Sequence, residues 1–192
     1  MEQEKPKLFS KRNVIALFIV FIMVFGAGGV VVDQLAKESY EYNGIRIVLK
    51  NNLWTAKADG KEFVFNYLPT DVEQISMSTE IGDRLANTLE LDFTSDADDK
   101  DKQVIAYSQF VLSKELEKKG IYFRTGFTGD NEFNQTIIKC NNDAPHVPIL
   151  YLKNGENVSI TSEGSCIVGQ ASNEIDFIRI KDRIMYRILG II

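Results

Sequence analysis

Residues 89–127 read LELDFTSDADDKDKQVIAYSQFVLSKELEKKGIYFRTGF, and the hydrophobic period changes twice within them. LELDF alternates apolar and polar residues as a half-buried strand does. Val104, Tyr107, Val111, Leu112 and Leu116 then recur at three- and four-residue spacing, the signature of an amphipathic helix, and Gly120 stops it. IYFRTGF returns to a strand pattern. Two strands joined through a helix of this length read most naturally as a right-handed βαβ unit with the strands parallel. This places the chain in the mixed α+β class.

Upstream, IRIVLK, LWTAKA and EFVFNY are separated by the turn dipeptides NN and DG and predict a three-stranded meander, with Trp54 as a packing residue within it. LPTDVEQI places Glu73 three residues after Thr70, the spacing of a capping box. A short helix follows, and a second is predicted from Thr79 to Ala86. Downstream come TIIKC and then VPILYLKNGENVSIT, which predicts a further hairpin turning at KNGEN. CIVG is a short strand. NEIDFIRIKDRIMYRILGII closes the chain as a C-terminal helix capped by Asn173 or Ser172, with acids early and arginines late as the helix dipole favours.

Residues 14–32 read VIALFIVFIMVFGAGGVVV without a charge, and nineteen residues at about 1.5 Å each approach the ~30 Å hydrocarbon core of a bilayer. Lys5, Lys7, Lys11 and Arg12 precede the run and Lys37 alone follows it closely, which keeps the N-terminus in the cytoplasm. A cleaved secretory signal is the competing reading, with small residues at 26–29. Val30 to Val32 extend the apolar run past that site and favour an anchor. The expected organisation is a cytoplasmic basic tail (1–13), a transmembrane signal-anchor (14–32), a connector (33–42) and one extracytoplasmic α+β domain (43–192). A net charge of -5 and a pI near 5.0 provide no basic field for phosphates, so nucleic acid is excluded as a partner.

PILYLKNGENVSI followed by the terminal helix resembles the closing strand–hairpin–strand–helix half of thioredoxin-like domains, with the βαβ unit as the other half. The resemblance implies a thioredoxin-like core. Redox chemistry in such domains uses a Cys-x-x-Cys pair where a helix starts after the first strand, and this chain has FTSDADDKD there. The implied role is therefore a redox accessory lacking its catalytic dithiol.

Cys140 and Cys166 are the only cysteines, and outside the cell an even count predicts a disulfide. A 26-residue separation gives it roughly 3.5 kcal/mol by loop entropy. His146, the only histidine, sits between Pro145 and Pro148 in a stiffened loop; with two cysteines it matches no common zinc spacing. The acidic run offers Asp96, Asp98 and Asp101 as candidate oxygen ligands for a cation. It departs from the EF-hand loop, because the sixth position from Asp96 is Asp101 rather than Gly and the twelfth is Tyr107 rather than Glu. The favoured alternative is that Ser95 or Asp96 caps the long helix, with the following acids on its positive end. Asn134 and Asn157 head glycosylation sequons, and Arg179, Arg183 and Arg187 form a stripe that is either solvated or partner-facing. Ser-x-x-Lys and Gly-x-Ser-x-Gly patterns are absent and no cofactor is implied. The expected role is a membrane-anchored extracytoplasmic binding, scaffold or cell-envelope interaction protein that meets the membrane through one span and a protein partner outside it. An extracytoplasmic enzyme is the alternative.

Overall fold

The structure, a computed structural model, describes residues 38–140 and 147–192, with Ile15 and residues 19–23 in addition. It divides into two compact units, Met1–Glu38 and Ser39–Ile192. In the first, Ile15 and residues 19–23 are helical and their large apolar side chains are exposed. Most of the expected span lies outside the described residues, and among the described residues no helix is long and apolar enough to cross a membrane.

The second unit opens with a four-stranded antiparallel sheet in sequential order, β1 (Ser39–Tyr42), β2 (Ile45–Lys50), β3 (Leu53–Ala58) and β4 (Lys61–Phe65). The meander thus gains a strand from within the expected connector. Asn43-Gly44, Asn51-Asn52 and Asp59-Gly60 all carry positive φ, so each link is a two-residue turn whose twist suits paired strands. Period-two alternation sends Ile47, Ala56, Phe63 and Phe65 to one face, where they are buried.

Two short helices follow, α1 (Pro69–Val72) and α2 (Thr79–Ala86). The expected Thr70–Glu73 box does not form. Asp71 instead accepts from the Leu68 N–H at 3.1 Å, and Glu73 accepts from the Tyr42 hydroxyl. Then come β5 (Glu90–Ser95), α3 (Lys102–Lys119) and β6 (Tyr122–Thr125), with β5 and β6 parallel as expected for the βαβ unit. α3 ends at Gly120, whose φ is +85°.

The remaining strands are β7 (Ile149–Asn154), β8 (Ser159–Glu163) and β9 (Cys166–Ala171), and they complete a five-stranded sheet in the order β6-β5-β7-β9-β8. This corrects the hairpin expected at KNGEN. β7 and β8 are not neighbours; β9 lies between them, parallel to β7 and antiparallel to β8. Two physical reasons decide it. The shorter link is at Gly164-Ser165, where Gly164 has φ +58°, and it forms the hairpin. Cys166, Ile167, Val168 and Gly169 are buried on both faces and belong inside a sheet, whereas the exposed Thr161, Ser162 and Glu163 suit an edge. The closing strands of the thioredoxin-like arrangement would pair with each other, so that implied core is not formed.

α4 (Glu174–Ile188) closes the chain, with the Asn173 side chain accepting from the Asp176 N–H at 3.1 Å as expected of its cap. It packs against α1, α2, α3 and β9. At Gly169 a Cβ would meet Leu152 Cδ2 at 2.7 Å and Ile180 Cγ2 at 2.9 Å, so only glycine lets α4 lie this close to the sheet. Phe65 stacks on Tyr186 at 3.9 Å between ring centroids, joining the antiparallel sheet to the helical layer.

The arginine stripe turns inward. Arg179 donates to the Asp71 carbonyl and to Asp176, Arg183 is buried with its Nε 3.4 Å from the Ile75 carbonyl, and Arg187 pairs with Asp83 at 2.9 Å. Arg183 is thus enclosed, while Arg179 and Arg187 bond to α1 and α2 and stay partly exposed at the edge of α4. Beside it, fully buried Asp182 accepts from the Asn66 and Tyr67 N–H groups at 2.8 and 2.9 Å and pairs with Lys181 at 2.5 Å. Burial pushes the Asp182 carboxyl up and the Arg183 guanidinium down from their ordinary values, so this ionic cluster depends on its hydrogen bonds.

Candidate functional site

α3 and β6 flank an open cleft of ≈ 600 Å³. Ile105, Leu112 and Leu116 of α3 point into the core, while Gln103, Ala106 and Phe110 form the next stripe round and face the cleft. Tyr107, assigned to the core stripe from its spacing, is 51% exposed, and Ile105 takes its place. Apolar residues lie nearly all round this helix, so spacing alone could not choose the face. The opposite wall comes from Phe123 and Thr125 of β6 and from Phe127 and Phe133 beyond it. Phe127 and Phe133 are 5.7 Å apart between centroids, and Phe110 and Phe133 remain 61% and 50% exposed. Two exposed phenylalanines on one cleft are unusual for a surface that has no partner to meet.

The wall beyond β6 is held by backbone pairing. Phe127 donates to the Thr136 carbonyl at 2.9 Å and accepts from the Ile138 N–H at 2.8 Å, a single parallel bridge between Phe127 and Ile137. At Gly126 a Cβ would stand 2.4 Å from the Thr136 oxygen, so any side chain there would push this segment away. Ile138 continues onto the far face of the five-stranded sheet, where its carbonyl accepts from the Thr94 hydroxyl at 2.8 Å. It packs there with Ile149, Cys166 and Val168. The Cys140–Cys166 disulfide, with Cα atoms 5.1 Å apart, fastens the segment to β9.

The acidic run occupies the carboxyl ends of β5 and β7, where open α/β sheets place ligands. Here the acids serve one another's backbone and side-chain neighbours. Asp96 accepts from the Tyr151 hydroxyl at 2.7 Å and from the Thr128 hydroxyl. Asp99 accepts from the Asn154 N–H and side-chain amide, both at 3.0 Å, and from the Asp101 N–H at 2.8 Å. These corrections follow: Ser95 lies within β5, neither it nor Asp96 caps α3, and at the cap position the Asp101 carboxylate accepts nothing from the helix, only its backbone carbonyl taking the Ile105 N–H at 3.1 Å. Burial, and then the Asp96 carboxylate it donates to, push the Tyr151 phenol up. Asp99 feels burial most, yet the hydrogen bonds from Asp101 and Asn154 hold its carboxyl below the ordinary value. The Asp101 carboxylate also accepts from the Asn154 side-chain amide, so Asp96 and Asp101 spend lone pairs on protein donors, and Asp98 stands exposed beside them. Among the described residues no three His, Cys, Asp or Glu side chains converge to hold a metal.

Asn134 and Asn157 are both exposed. His146 lies outside the described residues. Phe110, Phe123, Phe127 and Phe133 were not singled out from the sequence, although FTGDNEFNQ, an aromatic pair within a polar loop, was a usable signal. Comparison with family profiles, curated proteins and solved structures finds no match to this chain.

Proposed function

We propose that this chain is a membrane-anchored, extracytoplasmic binding protein whose ligand site is the cleft between α3 and β6. The observation that carries the reading is the aromatic lining: four phenylalanines and the Gln103 and Gln135 amides line ≈ 600 Å³ that opens to solvent. Apolar walls with a few polar groups at the rim are the chemistry of recognition. The membrane address draws on three supports: the uncharged run at 14–32 with its upstream cations, the helical residues 19–23 that expose apolar side chains, and a disulfide of the kind oxidising compartments maintain.

The cleft is tested with the apolar fluorescent dye anilinonaphthalene sulfonate and the full chain in a non-ionic detergent below its micelle concentration or in nanodiscs. The wild type is expected to enhance dye emission, and Phe110→Asp to remove most of the enhancement without moving the thermal midpoint. Equal emission from both would sink the cleft as the site. The address is tested by a membrane-impermeant amine reagent on intact cells, which should modify the exposed Lys100, Lys102 and Lys114; complete protection of all three refutes it.

A further inference from the structure

The cleft is bounded along one side by a strand edge whose backbone is paired at one end only. β6 is the first strand of its sheet and has a neighbour on one side only. Tyr122, Gly126 and Thr128 donate their N–H groups to the carbonyls of Leu89, Phe93 and Ser95, at 2.9, 3.0 and 3.1 Å. Alternation then turns the N–H and C=O groups of Phe123, Thr125 and Phe127 outward. Those of Phe127 are taken by the 136–138 segment, which lies as the start of a further strand. Those of Phe123 and Thr125 have no strand paired to them among the described residues, and Thr125 is exposed. The sheet is therefore extended by a neighbour at one end of this edge and left open along the rest of it.

A strand added at Phe123 and Thr125 would send alternate side chains to the helix side of the sheet. That side is the aromatic cleft, with Phe110 of α3 facing Phe123 and Phe133 across it. At its carboxyl end the cleft runs into a second concavity of ≈ 360 Å³, which shares Ala97 and Lys102 with it. Asp96, Asp98, Asp130 and Glu132 line that basin against the one ammonium of Lys102. Asp98, Asp130 and Glu132 are exposed and pair with no cation among the described residues. An edge strand, an apolar trough beside it and an acidic basin at one end define one kind of occupant.

Building on the cleft as the binding site, we infer that its ligand is an extended polypeptide segment of a protein partner, apolar at alternate positions and basic at one end, which binds by adding a strand to β6. The main chain of the ligand pairs with Phe123 and Thr125, its apolar side chains enter beside Phe110, and its basic end lies over Asp98, Asp130 and Glu132. Main-chain pairing supplies affinity, and the trough and basin supply specificity.

The test uses the full chain in nanodiscs and a fluorescein-labelled decapeptide library with degenerate apolar residues at alternate positions and two lysines at one end. A matched library ends in two glutamates. Binding is read by fluorescence anisotropy, and amide exchange is followed at Phe123 and Thr125. The lysine library is expected to bind at least about tenfold more tightly, and to slow exchange at both amides by about tenfold or more, as formation of a hydrogen-bonded ladder requires. The double variant D98K/E132K should reverse the preference between libraries. Thr125→Pro removes one outward N–H at an edge position where proline is tolerated, so it should fold and lose peptide binding by about tenfold. Should Thr125→Pro fail to fold, the exchange measurement on the wild type decides alone. Peptide binding without slower exchange at Phe123 and Thr125 overturns strand addition, and so does edge-to-edge association of two copies that the peptides do not displace. If neither library binds while the dye still responds to Phe110→Asp, the cleft stands as a site for a small apolar molecule and the peptide inference falls.

Discussion

Reduction of the Cys140–Cys166 disulfide should lower the thermal midpoint of the Ser39–Ile192 unit by about 10 °C. The bond closes a 26-residue separation, and loop entropy gives it roughly 3.5 kcal/mol at 25 °C. A domain of this size loses about 2–4 °C per kcal/mol, which converts that figure into about 7–14 °C. The structure also says where the loss begins. Cys140 follows Ile138, whose N–H donates to Phe127 and whose carbonyl accepts from Thr94, so the freed segment leaves the far face of the sheet first. Far-UV circular dichroism of the full chain, with and without a phosphine reductant, measures the shift, and Cys140→Ser should match the reduced wild type and ignore reductant. Exchange of the Ile138 amide should quicken before global unfolding. Reduced and oxidised forms that melt within about 2 °C of each other would refute the reasoning, since the segment would then be held by its backbone pairing and packing alone.

Asp182→Ala should destabilise the unit by about 3–5 kcal/mol in urea titrations, because it leaves the Lys181 ammonium without its buried counter-charge and the Asn66 and Tyr67 N–H groups without their acceptor; a loss under about 1 kcal/mol would show that water reaches them. Asp99 is held below its ordinary value in the folded state, so its stabilisation is full above the unfolded carboxyl value of about 4 and is lost as pH falls through the lower folded value. Stability should therefore drop on acidification below about pH 4, and Asp99→Asn should flatten that slope; an unchanged slope would place the acid sensitivity elsewhere. Gly126→Ala should cost about 1–3 kcal/mol, since its Cβ meets the Thr136 oxygen, and should speed exchange at Ile138 more than at Leu150.

Local rules carried the fold wherever a turn or cap was encoded in two or three adjacent residues. The helix at Thr79–Ala86, the stop at Gly120 and the Asn173 cap all follow from such signals. Asn43-Gly44 is an equally strong turn signal, whereas the polar Ser39–Tyr42 has the composition of a linker and forms β1 only by pairing with β2. The order of β7, β8 and β9 was harder. KNGEN is a good turn locally, and what overrides it is a comparison between distant segments: β9 has the apolar run that tolerates burial on both faces, and β8 does not. Such a comparison needs the sheet before it can be made.

The candidate site shows the same division in sharper form. Carboxylates at Asp96, Asp99 and Asp101 look available in a sequence because their partners, Tyr151 and Asn154, lie more than fifty residues away on β7. Once β5 and β7 are adjacent those oxygens are occupied by protein donors, and the acids left over, Asp98, Asp130 and Glu132, sit at the mouth of an apolar cleft. The cleft itself was hidden because α3 is apolar on several faces. Only the position of β6 decides which of those faces is core and which is exposed beside an open strand edge. A residue's chemistry was legible along the chain; whether that chemistry is already spent within the fold was legible only from the pairing of strands, and the unspent groups gather at β6.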